Sequence, residues 1–171
     1  MVAKEYSKAL YELAEELNIV DIIKNEFKGI IDVLKEGNYI DLFTSPVIKN
    51  NEKKDVISKC MKGVNENLIH FLYVLIDNNR FDLINDIYDD FIDLNLNKNN
   101  MISIKLFSAE KLMDKDLERI LNLLKPRFNN KKIIYENIVD NSLIGGIRVL
   151  ANDTEININT KTTIQNLKNS L

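Results

Sequence analysis

From Val2 to about residue 94, apolar positions recur every three or four residues, the spacing that gives a helix one continuous apolar stripe. In the first segment Val2, Tyr6, Ala9, Leu10, Leu13 and Leu17 follow this spacing, while Lys4, Lys8, Glu12 and Glu15 face away. The pattern predicts a first helix with that apolar set turned inward. A second helix is predicted over 19–36, with Ile22, Ile23, Phe27, Ile30, Ile31 and Leu34 inward. Gly37 is expected to supply the left-handed residue that stops it. "YIDLF" reads as a short helical piece ended by Ser45-Pro46. A helix over 52–61 follows, closed by Gly63, and Asn65 is placed to cap the next, whose body is "NLIHFLYVLIDN". A sixth, "FDLINDIYDDFIDLN", comes after Asn78-Asn79-Arg80. Six helices joined by short connections predict an antiparallel bundle.

At "NLNKNN", residues 95–100, the helical pattern stops, which marks the domain boundary. Beyond it the period changes. "MISIKLFSA" sets Ile102, Ile104 and Leu106 against Ser103 and Lys105, the alternation of a half-buried strand. "DKDLERILNLLKP" returns to helix, with Asp114 as expected N-cap and Pro126 marking the end. "KKIIYENIV" and "GIRVLANDTEINI" read as two further strands, and "TIQNLKNSL" is expected to close the chain as a short helix. The predicted fold class is therefore α+β and mainly α: an antiparallel six-helix bundle over 1–96, then a small β-α-β-β domain over 101–171.

Composition and charge narrow the function classes. Charged residues make up 29% of the 171 residues in mixed sign, with a net charge of −3, which argues against a general nucleic-acid binder. No window approaches the ~20 apolar residues of a membrane span. The opening "MVAKEYSKAL" starts directly in helical pattern and lacks the apolar core of a signal peptide. Cys60 is the sole cysteine, so no intrachain disulfide is possible, and a reducing cytoplasm is the simplest setting.

The search for chemistry returns little. His70 is the only histidine, and within "LIHFLYVLI" it reads as a packed or groove-edge side chain. No second His or Cys lies nearby in sequence to build a zinc site, and no serine or cysteine is set beside a base. Asp82, Asp86, Asp89, Asp90 and Asp93 form an acidic stripe opposite Ile84, Ile87, Tyr88 and Phe91. That stripe lacks the alternate oxygen ligands and central glycine of a calcium loop, so it reads as a solvated face, with contact to a basic partner as the alternative. Gly145 and Gly146 sit in "VDNSLIGGIRVL" with apolar strand-like residues following. A phosphate loop needs a helix after its glycines, so this pair reads as a bend or bulge, or as a place where another backbone packs close.

Four patches in register carry a family resemblance. They are "YSKALYELA", "LIDNNRFDLINDIYDDF", "SAEKL" and "VDNSLIGGIRV", the last the most specific. Together they resemble the δ subunit of the bacterial F-type ATP synthase, relative of the mitochondrial oligomycin-sensitivity-conferring protein, and the resemblance spans essentially the whole chain. The chain departs from the family pattern at Asn152-Asp153 and at Ile156–Asn159, where glycine and aspartate are usual.

The resemblance implies a non-catalytic stator subunit of the proton-translocating ATP synthase, with no cofactor or metal. Such a subunit links the α/β catalytic head to the membrane-anchored b subunits, one copy per complex, on the cytoplasmic face of the cell membrane. The bundle would bind the head and the C-terminal domain the stalk. In the family, an amphipathic helix from the N-terminus of an α subunit lies between the first and fifth helices. The corresponding residues here are Tyr6 and Ala9 with His70 and Val74; each could instead only pack within the bundle. Gly145 and Gly146 are carried over as a structural turn. Two other readings compete: a free-standing helical adaptor for some unrelated amphipathic helix, and a small α/β enzyme with a C-terminal nucleotide site.

Overall fold

The structure, a computed structural model, describes residues 2–143, 145–151 and 154–158. The chain divides into two compact units, Met1–Asn95 and Leu96–Leu171. It is mainly helical with one small mixed sheet, an α+β protein.

Six α-helices occur among the described residues ahead of the sheet: α1 Val2–Glu16, α2 Val20–Glu36, α3 Ile40–Thr44, α4 Asn50–Cys60, α5 Glu66–Asp77 and α6 Ile84–Lys98. A 3₁₀ turn, Phe81–Leu83, leads into α6. Every one of the six places residues in a single apolar core, from Leu10, Tyr11 and Ala14 of α1 through Phe43 and Ile57 to Ile84, Ile87 and Phe91 of α6. Aromatic side chains organise its centre: Phe27 meets Phe71, Tyr88 and Phe91 edge-on, and Phe43 stacks on Phe81 at 4.5 Å.

Asparagine, rather than glycine, stops three of these helices, α1, α2 and α5. Asn18, Asn38 and Asn79 all have positive φ, at 56°, 51° and 51°. After each, the next N–H bonds back to a carbonyl five residues earlier: Ile19 to Ala14, Tyr39 to Leu34 and Arg80 to Leu75. This is the Schellman closure, with asparagine as the left-handed residue. The expectation for Gly37 is therefore off by one position. Its φ is −99°, a conformation any residue adopts, and a Cβ there would meet only the exposed ring of Tyr39, which would have to turn aside. At the other end of α5, the Asn65 side chain accepts from the Asn67 N–H at 3.0 Å, as a capping asparagine should.

Three more expectations shift. The helical pattern does not stop at Asn95, because α6 runs to Lys98 and Leu96 is buried; the turn comes at Asn99-Asn100. Asp114 is the first residue of α7 (Asp114–Leu124), and Met113 is the N-cap, without a side-chain hydrogen bond. In α1 and α2 the inward set differs from the predicted one: Ser7 and Tyr11 are buried, whereas Val2, Leu13, Leu17 and Ile22 are exposed. Apolar spacing alone cannot say which of two adjacent stripes meets the core when a helix carries both.

In the second unit the sheet order is β2-β1-β3-β4, from β1 Met101–Ser108, β2 Lys132–Val139, β3 Ile147–Ala151 and β4 Thr154–Ile158. β1 and β2 are parallel across α7, and the other pairs are antiparallel. Ile104, Leu106, Ile147, Val149 and Ala151 pack with Ile120 and Leu124 of α7. The expected β-α-β-β unit has a further strand, because "GIRVLANDTEINI" is a hairpin with Ala151 opposite Thr154. The apolar alternation changes phase across Asn152-Asp153, from odd positions 147, 149 and 151 to even positions 156 and 158. A polar dipeptide at a phase change is a turn signal. Asn152, Asp153 and the expected closing helix at 163–171 lie outside the described residues.

Candidate functional site

Two places in the molecule carry arrangements that core packing does not account for. The first is the seam between α1 and α5. Tyr6 meets Phe71 edge-on at 6.3 Å, and Tyr11 meets Phe91 at 5.4 Å, so α5 flanks α1 on the Tyr6 side and α6 on the Tyr11 side. At 100° per residue, Val2, Tyr6, Ala9 and Leu13 of α1 fall within about 60° of arc, with Tyr6 at the edge that meets α5 and Leu17 just past the helix end. Ala9 is exposed, Val2 and Leu13 are each 39% exposed and Leu17 is 47% exposed, although three of the four are large and apolar. Tyr6 is half-buried.

The facing wall belongs to α5. Leu68, Leu72, Leu75 and Ile76 take its inner side, which leaves His70 and Val74 outermost, one turn apart. Val74 is 45% exposed and His70 is exposed, its ring 6.2 Å from that of Tyr73. On the far flank of α5, Lys54 of α4 lies 5.6 Å over Tyr73 and pairs with Asp77 at 2.6 Å. Tyr6 reaches α5 through Phe71, whereas the ring contact of His70 is with Tyr73, on the side of α5 toward α4; Ala9 and Val74 are exposed on their own helices. Sequence reading missed Leu13 and Leu17 as open positions, since it assigned them to the core. Their signal was an apolar stripe wider than one inward face requires.

The seam can accept an apolar surface and little else. It holds no nucleophile beside a base, and no cluster of three or more His, Cys, Asp or Glu able to hold a metal occurs among the described residues. The acidic residues of α6 lie away from the core side, with Ile84, Ile87 and Phe91 fully buried opposite. Burial together with Asp32 and Asp89 raises the Tyr88 hydroxyl above its ordinary range.

The second place is the turn before β3. Gly145 and Gly146 have φ of 154° and 86°, and both form a bend, as one of the sequence readings expected. At Gly145 nothing among the described residues lies within 4 Å of the place a Cβ would take. The flanking polar residues explain the rest of the motif. Asp140 Oδ1 accepts from the Ser142 N–H at 3.0 Å and from its hydroxyl at 2.5 Å, while Oδ2 takes Arg148 Nη2 at 3.3 Å. The Arg148 guanidinium lies 4.4 Å from the Phe107 ring centre. Hydrogen bonds from Ser142, then the charge of Arg148, hold the Asp140 carboxyl below its ordinary range. One carboxylate therefore ties the residues before the glycines to the strand after them. Ser108, buried on β1, reaches the Glu110 carbonyl at 2.6 Å and Asn137 Oδ1 at 3.2 Å, fixing the exit of its strand.

Comparison with known proteins places this geometry. Residues 2–171 match the family profile described as ATP synthase delta (OSCP) subunit. The chain is 29% identical to the ATP synthase subunit delta of Clostridioides difficile (strain 630), over 100% of this chain and 96% of that one. It is likewise 29% identical to that of Bacillus thuringiensis (strain Al Hakam), over 87% and 83% of the two chains. Among solved structures, a chain of the Toxoplasma gondii mitochondrial ATP synthase hexamer shares the fold with a TM-score of 0.72 at 17% identity, covering 99% of this chain and 97% of that one.

Proposed function

The chain belongs to the ATP synthase delta (OSCP) subunit family, and we propose that its helical unit grips the catalytic head while its sheet unit docks to the stalk. It is a non-catalytic subunit of the F-type ATP synthase with a stator role, a peripheral component of a membrane complex. No helix among the described residues is long and apolar enough to cross a membrane. The mechanical task follows from the rotor: torque inside the head turns the head too, unless a peripheral link holds it.

In this reading α1–α6 form an antiparallel six-helix bundle whose α1–α5 seam takes the N-terminal amphipathic helix of an α subunit, in the helix-in-groove mode. The observation that carries it is the apolar set Val2, Ala9 and Leu13 on α1 and Leu17 just beyond it, left exposed, together with exposed Val74 on α5. Small Ala9 lets a partner backbone approach, and large apolar residues on either side offer anchors. Tyr6, Ala9, His70 and Val74 are the contact residues, with Leu13 and Leu17 extending them. The C-terminal unit docks to the b subunits, one copy per complex, on the cytoplasmic face of the membrane.

Capture of the tagged full chain on detergent-solubilised membranes of the same organism tests this directly. The wild type should retain the α, β and b subunits. Ala9→Asp should release α and β while keeping b, because the carboxylate enters an apolar contact at a cost of about 1–3 kcal/mol, roughly tenfold or more in affinity. Capture of a soluble partner with none of the three subunits would favour the adaptor reading. Loss of b with α retained in Ala9→Asp would overturn the division of labour.

A further inference from the structure

We propose that β2 is a docking edge for a second copy of this chain, the two copies joining antiparallel, β2 against β2, about a two-fold axis at Ile134. This pairing concerns the unassembled chain and does not rest on the stator reading.

Among the described residues β2 is an edge of the sheet, with β1 on one side and no strand on the other. An open strand edge offers a row of backbone N–H and C=O groups to any extended chain, and proteins blunt such edges with proline, bulges or short length. β2 has none of these. It runs for eight residues, Lys132–Val139, holds no proline and keeps an unbroken register with β1. Ile134, Tyr135 and Val139 are large hydrophobic residues, and all three are exposed.

Hydrogen bonding fixes which groups point outward. The Lys132 N–H bonds the Asn100 carbonyl at 3.0 Å, on the β1 side. Backbone direction alternates along a strand, so Ile134, Glu136 and Ile138 also turn to β1, and Ile133, Tyr135, Asn137 and Val139 present their N–H and C=O to the open edge. Only registers that pair these outward residues with one another can form a ladder. The register centred on Ile134 sets Ile133 against Tyr135 of the second copy, each exchanging both backbone bonds. It also sets Lys132 opposite Glu136 of the second copy, and Ile134 opposite Ile134. These are the pairs without backbone bonds, whose Cα atoms approach to about 4.5 Å and whose side chains meet most closely. Moving the centre to Glu136 would oppose two carboxylates. Within one chain Glu136 stands beside Lys105 of β1, on the sheet face turned away from α7. Charge therefore alternates across the junction, from Lys105 to Glu136 to Lys132 of the second copy, and the strand is complementary to itself. A pairing this short falls below the roughly 1,200–2,000 Å² of a stable interface, so the dimer forms as free chain accumulates and dissolves on dilution.

Sedimentation equilibrium of the full chain, from low micromolar to several hundred micromolar, tests this. The wild type should show a reversible monomer–dimer equilibrium. Lys132→Glu and Glu136→Lys should each weaken it about tenfold, because either one opposes like charges at both symmetric pairs. The two reversals shift the net charge of −3 in opposite directions, so weakening by both excludes overall repulsion as the cause. Lys132→Glu combined with Glu136→Lys should return the dissociation constant to within about twofold of the wild type. A wild type that stays monomeric throughout overturns the pairing, as does a dimer that either single reversal leaves unchanged or that the double variant fails to restore. With a monomeric wild type, loss of the b subunits from Ile134→Lys in capture on membranes would assign the edge to the stalk instead.

Discussion

Asp140 does more with one carboxylate than any other side chain described in the second unit. It accepts from the Ser142 hydroxyl and N–H and pairs with Arg148, and these donors lower its proton affinity below the ordinary carboxylate range. A group whose folded pKa is depressed contributes stability above its unfolded value, about pH 4, and loses it as pH falls through the lower folded value. Asp140→Asn keeps one acceptor for Ser142 but no charge for Arg148. In urea titrations followed by circular dichroism, the wild type should be the more stable at pH 7, and the gap should shrink as pH falls below the ordinary carboxylate value of about 4. A gap that stays constant with pH would mean that the carboxylate charge contributes nothing. The motif residues Asp140, Ser142 and Arg148 were quoted in the sequence as part of a pattern, yet only the fold shows that they meet around one oxygen pair.

At the scale of elements, two glycines make opposite predictions. Gly146 has φ of 86° at the bend that delivers β3, whereas Gly29 sits inside α2 with open space where a Cβ would stand. An L side chain in the left-handed region costs about 1–2 kcal/mol, so Gly146→Ala should destabilise the sheet unit by that amount. Gly29→Ala should stabilise the helical unit by about 0.5–1 kcal/mol, since alanine restricts the unfolded chain and suits a helix. Urea midpoints of the two variants check the signs, and equal shifts in one direction would refute the conformational argument. Helix ends followed the same physics with a different residue: asparagine tolerates the left-handed region well enough to close α1, α2 and α5. A reading tuned to glycine therefore placed the stop of α2 one residue early.

For the molecule as a whole, the two units have separate apolar clusters, one from Leu10 to Phe91 and one from Ile104 to Ala151. A chain ending at Asn100, which keeps all of α6, should therefore fold alone. Circular dichroism should show a cooperative thermal transition with helical signal. A broad, non-cooperative melt would mean that the first core depends on the rest of the chain. The cut belongs after Asn100 because α6 continues through Lys98 and buries Leu96.

The sequence by itself determined the order and type of nearly every described element, because apolar periods of 3.6 and 2 follow from backbone geometry that no tertiary contact alters. It determined the change from helix to strand near residue 100, the bend at Gly145-Gly146 and the capping role of Asn65. The tertiary structure alone decided which apolar residues stay in water. Val2, Leu13 and Leu17 fit an inward stripe as well as Leu10 and Ala14 do, and only the contacts of Tyr6 with Phe71 and Tyr11 with Phe91 set the rotation of α1. A local period gives the angles between side chains on one helix. Which angle faces the core depends on where the neighbouring helices stand, and that is fixed by residues distant in sequence.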